Sequence, residues 1–143
     1  MIDGLPRGHV ALIGVSRGGF LALHAAARDP RIDAVVAFMP LTELGALTEF
    51  ADARNRYELL NVSHLAPQLA ERKVWMSIGR ADTRVSTAAA LDAAHALRAP
   101  LLLEAESGHI YSPTAERAAA TWLLDGSRQP AAMAPIASAV LPN

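Results

Sequence analysis

The chain has 143 residues, which is long enough for one domain with a buried core. The formal net charge is −1 and Lys73 is the single lysine, so we expect neither nucleic acid nor an anionic membrane as a partner. Cysteine is absent, which excludes disulfides and a cysteine nucleophile. No apolar run reaches the ~18 residues of a membrane helix and no signal-like pattern opens the chain, so we expect a cytoplasmic protein.

Apolar runs and helical segments alternate along the chain. The runs that predict strands are residues 9–14, 32–38, 74–78 and 101–105. The segments that predict helices are residues 20–28, 87–97 and 114–124, with two or three short helices within 41–72. This order predicts an α/β fold of about four parallel strands with helices on both faces of the sheet.

A serine between two glycines follows the first predicted strand. Gly14, Ser16 and Gly18 form a Gly-x-Ser-x-Gly pattern where the strand meets a helix, which is the context of a nucleophile elbow. We expect side chains at either glycine position to collide with the turn or its neighbouring strand. The backbone N–H of Arg17, at the helix N-terminus, is the candidate donor to an oxyanion. A tight turn with an incidental serine is the alternative; a dinucleotide-binding loop is not, because Ser16 occupies its middle glycine position.

An acid and a histidine follow the next two predicted strands in the chain order of an α/β-hydrolase triad. Asp82 comes just after the third strand and His109 just after the fourth, so both belong at the same edge of the sheet as Ser16. His109 then accepts the Ser16 proton, and Asp82 orients the imidazole. Glu104 and Glu106, beside the histidine loop, are alternative acids whose placement fits less well.

These motifs carry a resemblance to the α/β-hydrolases, above all to dienelactone hydrolase and prolyl oligopeptidase-like esterases. The similar segments are residues 16–20, 29–32, 37–42, 79–85 and 107–109. The resemblance covers residues 9 to about 124 and implies that residues 1–126 form the C-terminal catalytic half of such a fold. Residues 127–143 then form a Pro/Ala-rich tail, mobile or docked on a partner. The implied function is cleavage of short-chain carboxylic esters through a Ser16 acyl-enzyme, without metal or cofactor.

A full α/β-hydrolase has further strands before the one that carries the nucleophile, and its second oxyanion donor comes from that part. Three hypotheses follow: a weak esterase that favours activated esters, an inactive hydrolase-like module that binds a partner, or the same triad used for peptide or lactone cleavage. The strand at residues 9–14 is expected to be an exposed apolar edge. Together with a hydrophobic fraction of 52%, this predicts a homodimer, or another partner, on that edge.

The remaining candidates have simpler interpretations. Leu41, Leu44, Leu47 and Phe50 line either an acyl site or, as the spacing favours, one face of a core helix. His24 is expected to pack behind the elbow, and Trp75 and Trp122 to be core or cover residues. His9, His64 and His95 have no metal-ligand spacing.

Overall fold

Four parallel strands form the sheet of the protein, of which the computed structural model describes residues 9–125. The strands, in spatial as in chain order, are β1 (Val10–Val15), β2 (Ile32–Phe38), β3 (Lys73–Gly79) and β4 (Leu101–Glu104). The α-helices are α1 (Arg17–Arg28), α2 (Arg54–Tyr57), α3 (Ala66–Leu69), α4 (Thr87–Leu97) and α5 (Pro113–Asp125). The predicted α/β fold is confirmed, whereas the predicted tail at 127–143 lies outside the described residues.

The two faces of the sheet are covered by different helices because side chains alternate along each strand. On β2, Val35 and Ala37 belong to the larger apolar cluster, which includes residues of α1, α3 and α4. Val36 and Phe38 belong to the smaller cluster, which α5 covers. Helices therefore lie on both faces, as predicted.

Residues 41–72 are more broken than predicted. They contain four 3₁₀ segments besides α2 and α3: Leu44–Ala46, Thr48–Ala53, Glu58–Leu60 and Val62–Leu65. The expectation of one core helix through Leu41, Leu44, Leu47 and Phe50 is wrong. Their spacing is a strict three residues, which matches the 3₁₀ period rather than the 3.6 residues of an α-helix. We call residues 44–57 the cap segment.

One edge of the sheet is formed by β1, and its α5-side face is poorly covered. Ile13 pairs with Val36 and Val15 with Phe38, so both side chains point to the α5 face. Their relative exposures are 65% and 44%, whereas both β2 partners are buried. Within residues 9–125, no strand lies beyond β1. No helix in the same range is long and apolar enough to cross a membrane.

Candidate active site

The turn between β1 and α1 holds Ser16 in a strained backbone conformation. Ser16 has φ 54° and ψ −118°, a region that non-glycine residues rarely adopt. Its N–H donates to the Phe38 carbonyl over 2.8 Å, and its carbonyl accepts from the Leu41 N–H over 3.2 Å. The turn is therefore fixed to the end of β2, with the serine at the N-terminus of α1.

The glycines around Ser16 have different roles. A Cβ on Gly14 would lie 2.3 Å from the Gly18 carbonyl oxygen, so the turn closes only over a glycine there. A Cβ on Gly18 would meet no described atom within 4 Å, so the expected steric need for Gly18 is wrong. The sequence analysis missed Gly19, whose added Cβ would lie 3.0 Å from the Cβ of Pro40. Gly19 lets α1 approach the end of β2, and the second glycine in the Gly-Gly pair is the signal for it.

The structure brings the side chains of Ser16, His109 and Asp82 together. Ser16 Oγ lies 3.0 Å from His109 Nε2, and His109 Nδ1 lies 2.8 Å from Asp82 Oδ2. Since the carboxylate can only accept, Nδ1 carries the proton and Nε2 is free to accept from the serine hydroxyl. The Asp82 side chain is fully buried and that of His109 is 12% exposed. The arrangement can therefore withdraw a proton from Ser16.

Backbone hydrogen bonds join the loops that carry the acid and the histidine. The Arg80 N–H donates to the Glu104 carbonyl over 2.9 Å, and the Ala81 N–H to the Ser107 carbonyl over 3.0 Å. A Cβ on Gly79 would lie 2.1 Å from the Ser107 oxygen, so this contact needs a glycine. The sequence analysis gave Gly79 no role of its own and missed this contact.

The acid itself is held by its own loop. Asp82 Oδ1 accepts from the backbone N–H groups of Arg84, over 2.8 Å, and Val85, over 3.0 Å. One carboxylate oxygen thus anchors the loop while the other faces the imidazole. Val85 is buried in the larger apolar cluster, which fixes the far end of this turn.

The alternative acids have other surroundings. The Glu104 carboxylate accepts from the Ser112 hydroxyl, and that hydroxyl accepts from the Ala115 N–H over 2.9 Å at the start of α5. Glu104 thus belongs to the N-terminal cap of α5. Glu106 is exposed. The carboxylate that contacts His109 is that of Asp82.

Arg17 lies next to Ser16 as the first residue of α1. The first N–H groups of a helix have no acceptor within that helix, so the Arg17 amide is available to an oxyanion beside Ser16. Its guanidinium forms an ion pair with the Glu49 carboxylate, on the cap segment. The sequence did not indicate this pair, because its members are far apart in the chain.

An open pocket of about 600 Å³ adjoins Ser16 and His109. Its apolar lining includes Leu41 and Leu47, so these leucines both pack in the fold and border the site. The other lining residues are Arg17, Ala46, Thr48, Glu49, Thr83, Arg84 and Val85. Within residues 9–125, no His, Asp and Glu cluster could hold a metal ion.

The other singled-out aromatic residues pack in the fold. His24 is 9% exposed, its ring contacts Phe20, and its Nε2 lies 2.9 Å from the Leu60 carbonyl. Burial lowers the pKa of His24, although the bond to Leu60 opposes the shift. Trp75 is buried and Trp122 packs at the edge of the smaller cluster, as predicted.

Several solved structures share this fold at low sequence identity. Acetyl xylan esterase 1 from Thermoanaerobacterium sp. JW/SL YS485 is 21% identical with a TM-score of 0.66, over 87% of this chain and 48% of that chain. The acylaminoacyl peptidase of Pyrococcus horikoshii is 14% identical with a TM-score of 0.67, over 85% and 24%. The Pyrococcus furiosus esterase Pf2001 is 18% identical with a TM-score of 0.64, over 88% and 57%.

These similarities show that the chain has an α/β-hydrolase fold, as the sequence motifs predicted. The similar parts span from about a quarter to just over half of those three proteins. No protein-family model matches the sequence. No curated protein matches it either.

Proposed function

We propose that the protein is a serine esterase that cleaves short-chain carboxylic esters through an acyl-enzyme on Ser16. The observation that carries the proposal is the continuous hydrogen-bonded relay from Ser16 through His109 to Asp82. A strained turn presents its serine at a helix N-terminus beside a pocket. This combination serves nucleophilic catalysis and has no evident structural purpose.

The proposed reaction has two halves. Ser16 Oγ attacks the acyl carbon while its proton moves to His109 Nε2, and Asp82 stabilises the imidazolium that forms. The tetrahedral intermediate then collapses, its C–O bond to the alcohol breaks, and the alcohol leaves with the proton from His109. Water, deprotonated by His109, attacks the acyl-enzyme and releases the carboxylic acid and free Ser16.

The oxyanion of each tetrahedral intermediate would be bound by the Arg17 N–H. In α/β-hydrolases a second donor comes from a loop before the nucleophile strand, and here that strand is the first of residues 9–125. Loss of one donor costs about 10²–10³ in rate in a known protease. We therefore expect a modest rate and a preference for esters with good leaving groups.

The size of the substrate is proposed from the pocket and the similar folds. Leu41, Leu47 and Val85 offer a short apolar wall beside Ser16, which suits a small acyl group. Two of the three similar proteins are named as esterases and one as a peptidase. The polar remainder of an open pocket suits a small ester better than a long aliphatic chain.

The direct test is hydrolysis of 4-nitrophenyl acetate and butyrate by the purified chain beside its Ser16→Ala variant. We expect saturable hydrolysis by the wild-type protein and loss of at least 10³-fold in kcat in the variant, because the nucleophile is gone. The mass of the wild-type protein, quenched during turnover, should increase by the acyl group. Equal rates in two equally folded proteins would refute the proposal.

A second candidate function is an inactive hydrolase-like module that binds a partner. The single oxyanion donor identified and the exposed apolar side chains of β1 favour it. The two candidates differ in the same experiment, because only an enzyme forms the acyl adduct on Ser16. Absence of both the adduct and Ser16-dependent hydrolysis in a folded protein would favour the module.

A further inference from the structure

We infer that the pocket selects esters that carry an anionic group, such as a second carboxylate, and that Arg84 binds that group. The inference deepens the proposed esterase function and rests on it. It comes from the charges that line the pocket rather than from the catalytic relay. The charged lining residues are Arg17, Glu49 and Arg84.

Arg17 and Arg84 differ in how their charges are balanced. The Arg17 guanidinium is paired with Glu49, so its charge is neutralised within the pocket wall. Arg84 is exposed, and within residues 9–125 it has no carboxylate partner within ion-pair distance. The lining therefore carries one uncompensated positive charge, although the whole chain has a net charge of −1.

The backbone of Arg84 is fixed relative to the reacting groups. Its N–H donates to Asp82 Oδ1 over 2.8 Å, and the other oxygen of that carboxylate contacts His109. The next residue, Val85, is 6% exposed and bonded to the same Asp82 oxygen. A guanidinium on a stem held this close to His109 and Ser16 can reach a carboxylate on a substrate in the pocket.

The rest of the pocket lining agrees with this class of substrate. Thr48 and Thr83 offer hydroxyl groups, and Leu41 with Leu47 supplies a limited apolar wall. An uncharged aliphatic ester would leave the Arg84 charge without a partner. An ester with a carboxylate on either its acyl or its alcohol part would pair with it.

The experiment uses two pairs of esters matched in size. The acyl pair is 4-nitrophenyl hydrogen glutarate and 4-nitrophenyl pentanoate, and the alcohol pair is 4-acetoxybenzoate and 4-acetoxybenzamide. For each pair the measured quantity is the ratio of kcat/KM for the anionic ester to that for the neutral ester. Rates of the Ser16→Ala variant are subtracted, because they include spontaneous hydrolysis.

The variants are Arg84→Gln, Arg84→Lys, Glu49→Gln and, as a matched loss of charge on α5, Arg117→Gln. The ratio of kcat/KM for the anionic ester to that for the neutral ester is the anion preference. We expect Arg84→Gln to lower this preference about fivefold in at least one pair, and Arg84→Lys to retain most of it. Glu49→Gln should raise the preference, because it frees the Arg17 charge. Arg117→Gln should leave it unchanged, and 0.5 M salt should reduce the wild-type preference.

The pair whose ratio changes identifies the part of the ester that Arg84 contacts. If Arg84→Gln leaves both ratios within twofold of wild type while hydrolysis still depends on Ser16, this inference alone is overturned. If hydrolysis does not depend on Ser16, the proposed function is overturned and this inference with it.

Discussion

The carboxyl edge of the sheet and the β1 flank are built in opposite ways. At the carboxyl edge the polar groups of Ser16, Asp82 and His109 bond to one another in a largely buried relay. On the β1 flank, Ile13 is 65% exposed and Val15 is 44% exposed. One region has its polar groups satisfied, and the other leaves apolar surface in water.

The difference follows from what each region requires. The relay needs only the ends of three strands, and the described residues supply all of them. Covering β1 needs another strand or chain, and residues 9–125 do not supply one. The hydrogen-bonded relay can therefore be complete where the surface around its scaffold is not.

The largest expected effect comes from breaking the relay at its acid. Asp82→Asn places an amide donor opposite His109, which favours the wrong imidazole tautomer. We expect kcat to fall by about 10³–10⁴-fold, as the equivalent change does in a serine protease. The control is Glu104→Gln, which weakens the α5 cap by roughly 1 kcal/mol and leaves Asp82 in place.

Esterase kinetics and urea unfolding, measured on both variants, separate catalysis from stability. A large loss of activity in Glu104→Gln with little in Asp82→Asn would mean that the acid was wrongly assigned. The carboxyl edge would then not be the ordered relay described here.

The next largest effect tests the turn that supports the relay. Gly14→Ala forces a Cβ to within 2.3 Å of the Gly18 carbonyl, so we expect a loss of about 3 kcal/mol in the free energy of unfolding. Gly18→Ala adds a methyl group in open space on α1 and should stabilise by up to about 1 kcal/mol. Urea unfolding followed by tryptophan fluorescence measures both. Equal destabilisation by the two changes would contradict the asymmetry of the elbow.

The β1 flank itself is tested by association. We propose that two copies pair through β1, because unpaired apolar edge strands favour such contacts. Ile13→Lys should shift the mass in sedimentation velocity toward the monomer. The control is Leu59→Lys, which should not change the mass. Leu59 follows the cap segment in the chain and is 81% exposed. A wild-type mass that stays monomeric at every concentration would rule out the dimer.

The sequence predicted well the strands and the sheet edge at which three polar side chains meet, because both depend on local patterns. Buried parallel strands are continuous apolar runs, and the positions just after them lie at one sheet edge. Ser16, Asp82 and His109 were singled out in this way, and the structure brings their side chains together.

The remaining features depend on contacts between distant segments. Two examples are the ion pair between Arg17 and Glu49 and the close contact of Gly79 with Ser107. No local sequence pattern indicates that these residues lie close together. The opposite error occurred at Gly18, where a family pattern suggested a collision that the packing does not produce. The cap segment was predicted least well because a three-residue spacing supports short 3₁₀ segments as readily as part of a helix.

The smallest expected effect concerns a buried polar group outside both regions. His24 has a lowered pKa in the folded protein, chiefly because of burial, whereas the unfolded chain titrates near 6.5. The unfolded state thus binds more protons below pH 6.5, so stability falls as the pH drops below 6.5 and levels off below the native pKa. Asp29, whose pKa is lowered to about 2 by its hydrogen bonds to Arg31, loses its contribution to stability only as the pH falls below 3.8, which is a separate window.

The prediction is a fall in the free energy of unfolding between pH 6.5 and 4.5, measured by urea titration at each pH. One proton limits the slope to about 1.4 kcal/mol per pH unit. His24→Gln, which can still donate to the Leu60 carbonyl, should flatten the slope, whereas His95→Gln, on the exposed side of α4, should not. An unchanged slope in His24→Gln would mean that another group causes the acid sensitivity.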